Sequence, residues 1–317
     1  MNILITGCAG FIGYYLADKL LLKKKNNIYG IDCLNKYYSQ KLKKKRLSFL
    51  LKKKNFKFTK LDLSNKKKLE IFFSKNKIDI IFNLAAQAGV RYVKSKPEKF
   101  IYSNILGFHN LIDVSNKHKI KKFFYASSSS VYGDKTTYPV SENTELSPKN
   151  IYGLSKKFNE DYVNINFEYS TKYIGLRFFT VYGEWGRPDM LIIKFLDHVK
   201  KNKKFYLNEN GNHWRDFTHI NDVVNMCEKL INKNFKQNEI FNICSGKPYH
   251  IKAVVNYLSK KKNFRKIIPI KKNEIEVKKT HGRNYKVLKY IGKTKFENLY
   301  KNIDLIIKWY DKYNNLI

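Results

Sequence analysis

Tyr152 and Lys156 stand four residues apart, a spacing that puts both side chains on one face of a helix. An ammonium held beside a phenol favours the phenolate, and a phenolate can take a proton from a substrate hydroxyl. Tyr-x-x-x-Lys alone says little in a chain with 23 tyrosines and 56 lysines. Here it follows a hydroxyl row, Ser127-Ser128-Ser129-Ser130, which ends the apolar segment Phe123-Phe124-Tyr125-Ala126. Hydroxyls at the carboxyl end of a buried parallel strand lie where α/β sheets bind ligands. The bland alternative is a polar serine loop followed by an ordinary surface helix.

Such a pair needs a scaffold, and the first third of the chain supplies one. An apolar strand over Asn2 to Thr6 runs into Gly7-Cys8-Ala9-Gly10-Phe11-Ile12-Gly13, and a helix carrying Leu16, Leu20 and Leu21 follows. Glycines at that junction let backbone N–H groups approach a pyrophosphate at the positive end of a helix. A second strand, Asn27 to Ile31, ends at Asp32, whose carboxylate can accept two ribose hydroxyls; the alternative is a turn cap. No basic residue follows at Cys33, Leu34 or Asn35 to meet a 2′-phosphate, so NAD is expected rather than NADP. Strands over 57–61 and 78–84 end at Asp62-Leu63 and at Ala85-Ala86. A long amphipathic helix through Phe100, Ile101, Ile105, Phe108, Leu111 and Ile112 carries Asn104, within reach of the serine loop.

This β-α alternation predicts an α/β fold, a doubly wound parallel sheet of Rossmann type with a smaller C-terminal α/β lobe. Residues 1–178 are expected to form the dinucleotide domain and 179–317 mainly the substrate lobe. In the second part the pattern predicts helices over 191–200 and 221–231, strands near 205–207 and 240–243, and two amphipathic stretches after Lys293.

The net charge of +37 comes from lysine runs scattered along the chain, with only seven arginines. A nucleic-acid binder would concentrate basic residues, arginine included, on one element, so no nucleic-acid partner is expected. Cys8, Cys33, Cys227 and Cys244 have no metal or redox spacing, which predicts a reduced, cytoplasmic protein without a metal site. No apolar run approaches the ~18 residues of a membrane span.

These motifs, with Asn83-Leu84-Ala85-Ala86-Gln87-Ala88-Gly89-Val90-Arg91, Arg177 to Met190 and Arg215-Asp216-Phe217-Thr218-His219, resemble the extended short-chain dehydrogenases/reductases. Within them the chain is most similar to UDP-glucuronate 4-epimerases, densely over about residues 1 to 250. Beyond residue 260 a Gly-Asp-Val element usual in the family is missing, and His281-Gly282-Arg283-Asn284 stands there instead. The resemblance implies resident NAD held by Gly7, Gly10, Phe11, Ile12, Gly13, Asp32, Asn35, Asp62, Leu63, Leu84, Ala85, Ala86, Asn104, Tyr152 and Lys156. It implies a homodimer through the helices around Asn104 and Tyr152.

It also implies that Tyr152 takes the proton of the sugar 4-hydroxyl, that Ser128 bridges the sugar oxygen to Tyr152, and that Lys156 lowers the phenol pKa. One positive charge ~6 Å away at an effective dielectric of ~20 is worth about 2.8 kcal/mol, enough to bring a phenol from ~10 to ~8. Ser129 and Ser130 are expected along the sugar, Arg91 near the substrate, and Arg215 on the UDP diphosphate. Sibling dehydratases and decarboxylases usually carry carboxylates where Ser129 and Ser130 stand, which disfavours both reactions. Arg187, with Thr180, is placed at the sugar C6 carboxylate, where a neutral sugar would leave a buried cation unpaired at a cost of ~1–3 kcal/mol. The alternatives are an epimerase of UDP-glucose or a UDP-N-acetylhexosamine and, from another class, a nucleic-acid-binding protein on an NAD fold.

Overall fold

Short apolar runs with no polar break, such as Ile3-Leu4-Ile5 and Phe123-Phe124-Tyr125, favour strands covered on both faces, and all six residues are essentially inaccessible to solvent. The computed structural model describes residues 1–89, 96–165, 170–271 and 276–317. Its main sheet contains β1 (Asn2–Thr6), β2 (Asn27–Asp32), β3 (Phe56–Lys60), β4 (Ile80–Asn83), β5 (Lys122–Ser128) and β6 (Lys172–Phe178). A seventh strand, introduced below as β10, completes the parallel order β10-β6-β5-β4-β1-β2-β3. The chain moves outward from β1 to β3 and restarts at β4 on the other side of β1. Beyond their carboxyl ends lies the crevice in which open α/β sheets bind ligands.

Helices cover both faces, as a parallel sheet requires. On one side α1 (Phe11–Leu21) and α2 (Gln40–Leu50) pack with β1, β2 and β4. On the other, α3 (Lys66–Lys75), a short α4 (Glu98–Phe100), α5 (Gly107–Lys117) and α6 (Ile151–Asn164) follow the chain, with Phe72, Phe73, Phe108 and Leu111 in the core. The amphipathic helix expected through residue 112 is not uniform: Ile101–Leu106 between α4 and α5 is a π-helical stretch, a distortion common at functional sites. Asn104 sits in it, completely buried.

The smaller lobe holds β7 (Thr180–Tyr182), α7 (Leu191–Lys200), β8 (Phe205–Asn208), β9 (Trp214–His219), α8 (Ile220–Ile231), β10 (Glu239–Ile243), β11 (Pro248–His250), α9 (Ile251–Lys262), β12 (Ile267–Ile270), α10 (Tyr285–Ile291) and α11 (Leu299–Tyr313). Two small sheets, β11-β9-β7 and β12-β8, are covered by α7, α9 and α11 around Phe195, Phe205, Val255 and Ile306. The chain also returns to the larger layer, where β10 extends the main sheet beside β6, α8 packs on α1, and α10 packs on α8 and β10. After Lys293 one long helix, α11, and a terminal 3-10 turn stand where two amphipathic stretches were expected. The divergent segment is tied down: Val140 N–H donates to the His281 carbonyl (2.9 Å) and Arg283 N–H to the Val140 carbonyl (2.8 Å). Among the described residues no helix is long and apolar enough to cross a membrane.

Candidate active site

The carboxyl ends of β1, β2, β4 and β5 open into a solvent-connected cleft. Gly7, Gly10, Phe11, Ile12 and Gly13 line its floor. The turn is closed by backbone: Gly7 adopts φ +70°, and a Cβ on Gly13 would stand 2.2 Å from the Gly7 carbonyl oxygen. A side chain there would force the loop open. Gly10 caps α1 without any side-chain hydrogen bond, so the first N–H groups of the helix and its positive dipole end are left for an anionic group.

Asp32, Asn35, Asp62, Leu63, Leu84, Ala85 and Ala86 line the same cleft. Asp32 lines the cleft and also takes the turn-cap role that was its alternative. It caps its own turn, accepting N–H bonds from Leu34 (2.7 Å) and Ala9 (3.1 Å); burial raises its carboxyl pKa, partly countered by those bonds and by Lys43. Lys43 was not expected from sequence. Buried on α2, it reaches the cleft wall, and its Nζ donates to the Asn35 carbonyl (2.8 Å) and Oδ1 (2.6 Å). Asn104 does not reach the cleft. It accepts from Gln87 N–H (2.7 Å) and donates to the Gln87 carbonyl and the Ser155 hydroxyl (3.0 Å each), which ties the loop after β4 to α6.

Ser128, Tyr152 and Lys156 meet on the opposite wall. Asn150 caps α6 by accepting from Gly153 N–H (2.9 Å). A Cβ on Gly153 would lie 2.6 Å from the Ser130 carbonyl oxygen, so this glycine lets the start of α6 press against the serine turn. The pKa logic differs from the expectation. Burial pushes the Tyr152 phenol up rather than down; a hydrogen bond with Ser128 and the positive charge of Arg187 pull the other way. Lys156 is 3% exposed, and burial lowers its ammonium to about 8 although Glu160 pulls upward. Arg187 is thus a cation that acts on the phenol, beside a Lys156 whose own charge is weakened by burial.

Behind this wall lies a buried polar group that sequence reasoning did not find. Glu160, one turn after Lys156, pairs two-pronged with Arg177 of β6, Nε to Oε1 at 2.9 Å and Nη2 to Oε2 at 2.7 Å, and accepts from the Ser127 hydroxyl. Arg177 also donates to Tyr132 Oη (2.8 Å), which donates to Asn242 of β10 (2.7 Å). This buried polar network fixes the end of β5 against α6.

The expected sugar residues divide. Arg187 lines the cleft, and Thr180 lines a small adjoining pocket with Arg187 and Met190. Ser129 and Ser130 form a 3-10 turn outside the cleft lining, where Ser130 N–H donates to the Ser128 hydroxyl (3.2 Å). Arg215 on β9 also lies outside that lining, 3.9 Å from Glu276. Arg91 falls outside the described residues. Arg187 is not an unpaired cation: it bonds Asp189, Nε to Oδ1 at 3.0 Å and Nη2 to Oδ2 at 2.6 Å, and Tyr37 donates to the same Oδ2 at 3.0 Å. Among the described residues the carboxylates lining the cleft are Asp32 and Asp62, both at its β2–β3 end.

A doubly wound sheet of this strand order, with a Tyr-x-x-x-Lys helix walling its cleft and a second lobe beyond β6, is the architecture of the extended short-chain dehydrogenases/reductases. Residues 3–244 match the NAD dependent epimerase/dehydratase family, and the chain belongs to that family. An uncharacterized protein of Methanocaldococcus jannaschii is 41% identical over 281 residues, 86% of each chain. UDP-glucuronate 4-epimerase 4 of Arabidopsis thaliana is 32% identical over 99% of this chain and 76% of its own. A crystal structure of UDP-glucuronic acid 4-epimerase from Bacillus cereus, in complex with UDP-glucuronic acid and NAD, matches with a TM-score of 0.91 at 26% identity, covering 98% of this chain and 99% of that one.

Proposed function

We propose that this protein is an NAD-dependent 4-epimerase of a UDP-sugar, interconverting UDP-glucuronate and UDP-galacturonate. The observation that carries the reading is the meeting of Ser128, Tyr152, Lys156 and Arg187 on one cleft, with Arg187 near enough for its charge to act on the Tyr152 phenol. The cradle fits NAD: Gly7, Gly10 and Gly13 with the uncapped start of α1 would hold the pyrophosphate, and Asp32 the adenosine ribose. Asn35, Asp62, Leu63, Leu84, Ala85 and Ala86 would flank it, and Lys156 would hold the second ribose. Bound NAD⁺ supplies reversible hydride acceptance at the sugar C4.

The side chains of this protein handle the proton. Tyr152 takes it from the 4-hydroxyl as the sugar is oxidised and returns it on reduction, with the Ser128 hydroxyl between phenol and sugar oxygen. Arg187 and Thr180 receive the C6 carboxylate, a two-pronged pairing that a guanidinium suits. Arg215, and Arg91 in the segment after β4, would meet the rest of the nucleotide sugar. Asp32 and Asp62 lie at the far end of the cleft and Asp189 is held two-pronged by Arg187, so none of these carboxylates is free beside Tyr152 to drive elimination, which favours epimerisation over dehydration. Residues 1–178 would serve mainly the dinucleotide and 179–317 mainly the UDP-sugar. A homodimer is proposed through α4 to α6, whose outer face exposes Ile101, Tyr102, Leu154 and Phe158.

Purified protein incubated with UDP-glucuronate and no added NAD should form UDP-galacturonate on anion-exchange chromatography, and the Tyr152→Phe variant should not. Turnover of UDP-glucose but not of UDP-glucuronate would remove the carboxylate role of Arg187 and leave the hydride chemistry in place.

A further inference from the structure

Three loops converge at the Arg187 corner of the cleft. The loop after β2 brings Tyr37, the loop after β4 brings Gly89, and the loop after β7 brings both Arg187 and Asp189. Gly89 has φ +97°, and a Cβ there would lie 1.8 Å from the Tyr37 hydroxyl and 3.6 Å from Arg187 Nη2, so the phenol presses on bare backbone. The Arg187 Cζ lies 5.8 Å from the Tyr37 ring centre. A guanidinium offers two flat edges for carboxylates, Nε with Nη2 and Nη1 with Nη2. Asp189 occupies the first edge with both oxygens. Burial would raise the Asp189 pKa, but the Arg187 charge and the bonds from Arg187 and Tyr37 hold it below the usual value, so it is ionised at neutral pH.

A sugar carboxylate therefore meets an arginine whose charge is already offset and must share it with a like charge. By the same offset, a neutral hydroxymethyl at that place leaves no lone cation behind. We infer that Asp189 is a specificity-determining residue: its carboxylate on the Nε edge of Arg187 restrains the preference for an acidic sugar over a neutral one. The inference rests on the assignment of Arg187 to the C6 position.

Two carboxylates about 6 Å apart on one guanidinium, at an effective dielectric of about 20 and discounted because Asp189 is partly exposed, set a restraint on the order of tenfold. The test uses the NAD-loaded enzyme in a Tyr152→Phe background, which binds without turnover, and compares Kd for UDP-glucose and UDP-glucuronate by calorimetry. Asp189→Asn keeps an oxygen for Arg187 Nε and removes the charge. The ratio Kd(UDP-glucose)/Kd(UDP-glucuronate) should rise about tenfold, and Asp189→Ser, with the same loss of charge, should move it the same way should the Asn variant fail to fold. A residue that only braced the loop would weaken both ligands together; an unchanged or lowered ratio overturns the inference. Arg187→Met separates the two claims. If it collapses the ratio while the Asp189 variants do not raise it, Asp189 alone is misassigned; if it leaves the ratio unchanged, the Arg187 assignment itself fails.

Discussion

Lys156 carries a cost that can be measured. Its side chain is 3% exposed and its ammonium is lowered to about 8, against 10.5 for a free lysine, because burial outweighs the attraction of Glu160. At pH 7 the folded protein therefore holds a charge that the unfolded chain would carry more comfortably. The difference between 10.5 and about 8, at 1.36 kcal/mol per pH unit, is about 3 kcal/mol. The sign follows from proton counting. Between about 8 and 10.5 the unfolded state binds the proton and the folded state does not, so stability rises with pH across that window and the full penalty applies below it. Lys156→Met, apolar and of similar length, should raise the stability of the cofactor-free protein at pH 7 by about 3 kcal/mol while abolishing turnover. For a chain of 317 residues that is a Tm gain of about 4–5 °C. Calorimetry at pH 7 and again at 9.5 is the assay, and the gap between the two proteins should shrink at the higher pH. A Met variant no more stable than wild type at pH 7, or a gap that stays constant with pH, would refute the reasoning.

Glu160→Gln should destabilise the fold by about 3 kcal/mol in a urea titration, because Arg177 is left buried opposite a neutral amide. The same change removes the charge that holds the Lys156 pKa up, so the midpoint of any activity limb due to Lys156 should move to lower pH. Leu154→Lys, on the exposed face of α6, should convert the proposed dimer to monomer in sedimentation with the fold intact; a variant that sediments as wild type would place the interface elsewhere.

The alternation of strands and helices in the first 178 residues was legible because buried parallel strands such as Ile3-Leu4-Ile5 are continuous apolar runs, and glycines punctuate the turns. The glycine loop, Asp32, Ser128, Tyr152 and Lys156 were legible because each is fixed by its place at a strand end or a helix start. What sequence did not reveal depends on contacts distant along the chain. Helix α2 is hidden by its lysines, yet Lys43 faces the cleft, and Arg46, completely buried, donates to the carbonyls of Ala9 and Gly186 at 3.0 Å each. A surface lysine run and a structural arginine read alike until the fold brings partners to them. The Glu160–Arg177 pair joins residues of α6 and β6, and only its position one turn after Lys156 could have hinted at it. Asp189 was visible two residues from Arg187, but pairing between them is a property of the loop conformation. The Tyr152 pKa was misjudged for a related reason: spacing gives the distance to a charge and says nothing of desolvation.

The central claim is that hydrogen leaves the sugar C4 and returns to the same carbon within one cleft. Proton NMR of UDP-glucuronate incubated with the purified protein in D₂O tests it most directly. The account predicts UDP-galacturonate that retains protium at C4 and C5. Deuterium at either carbon, or no product at all, would contradict it.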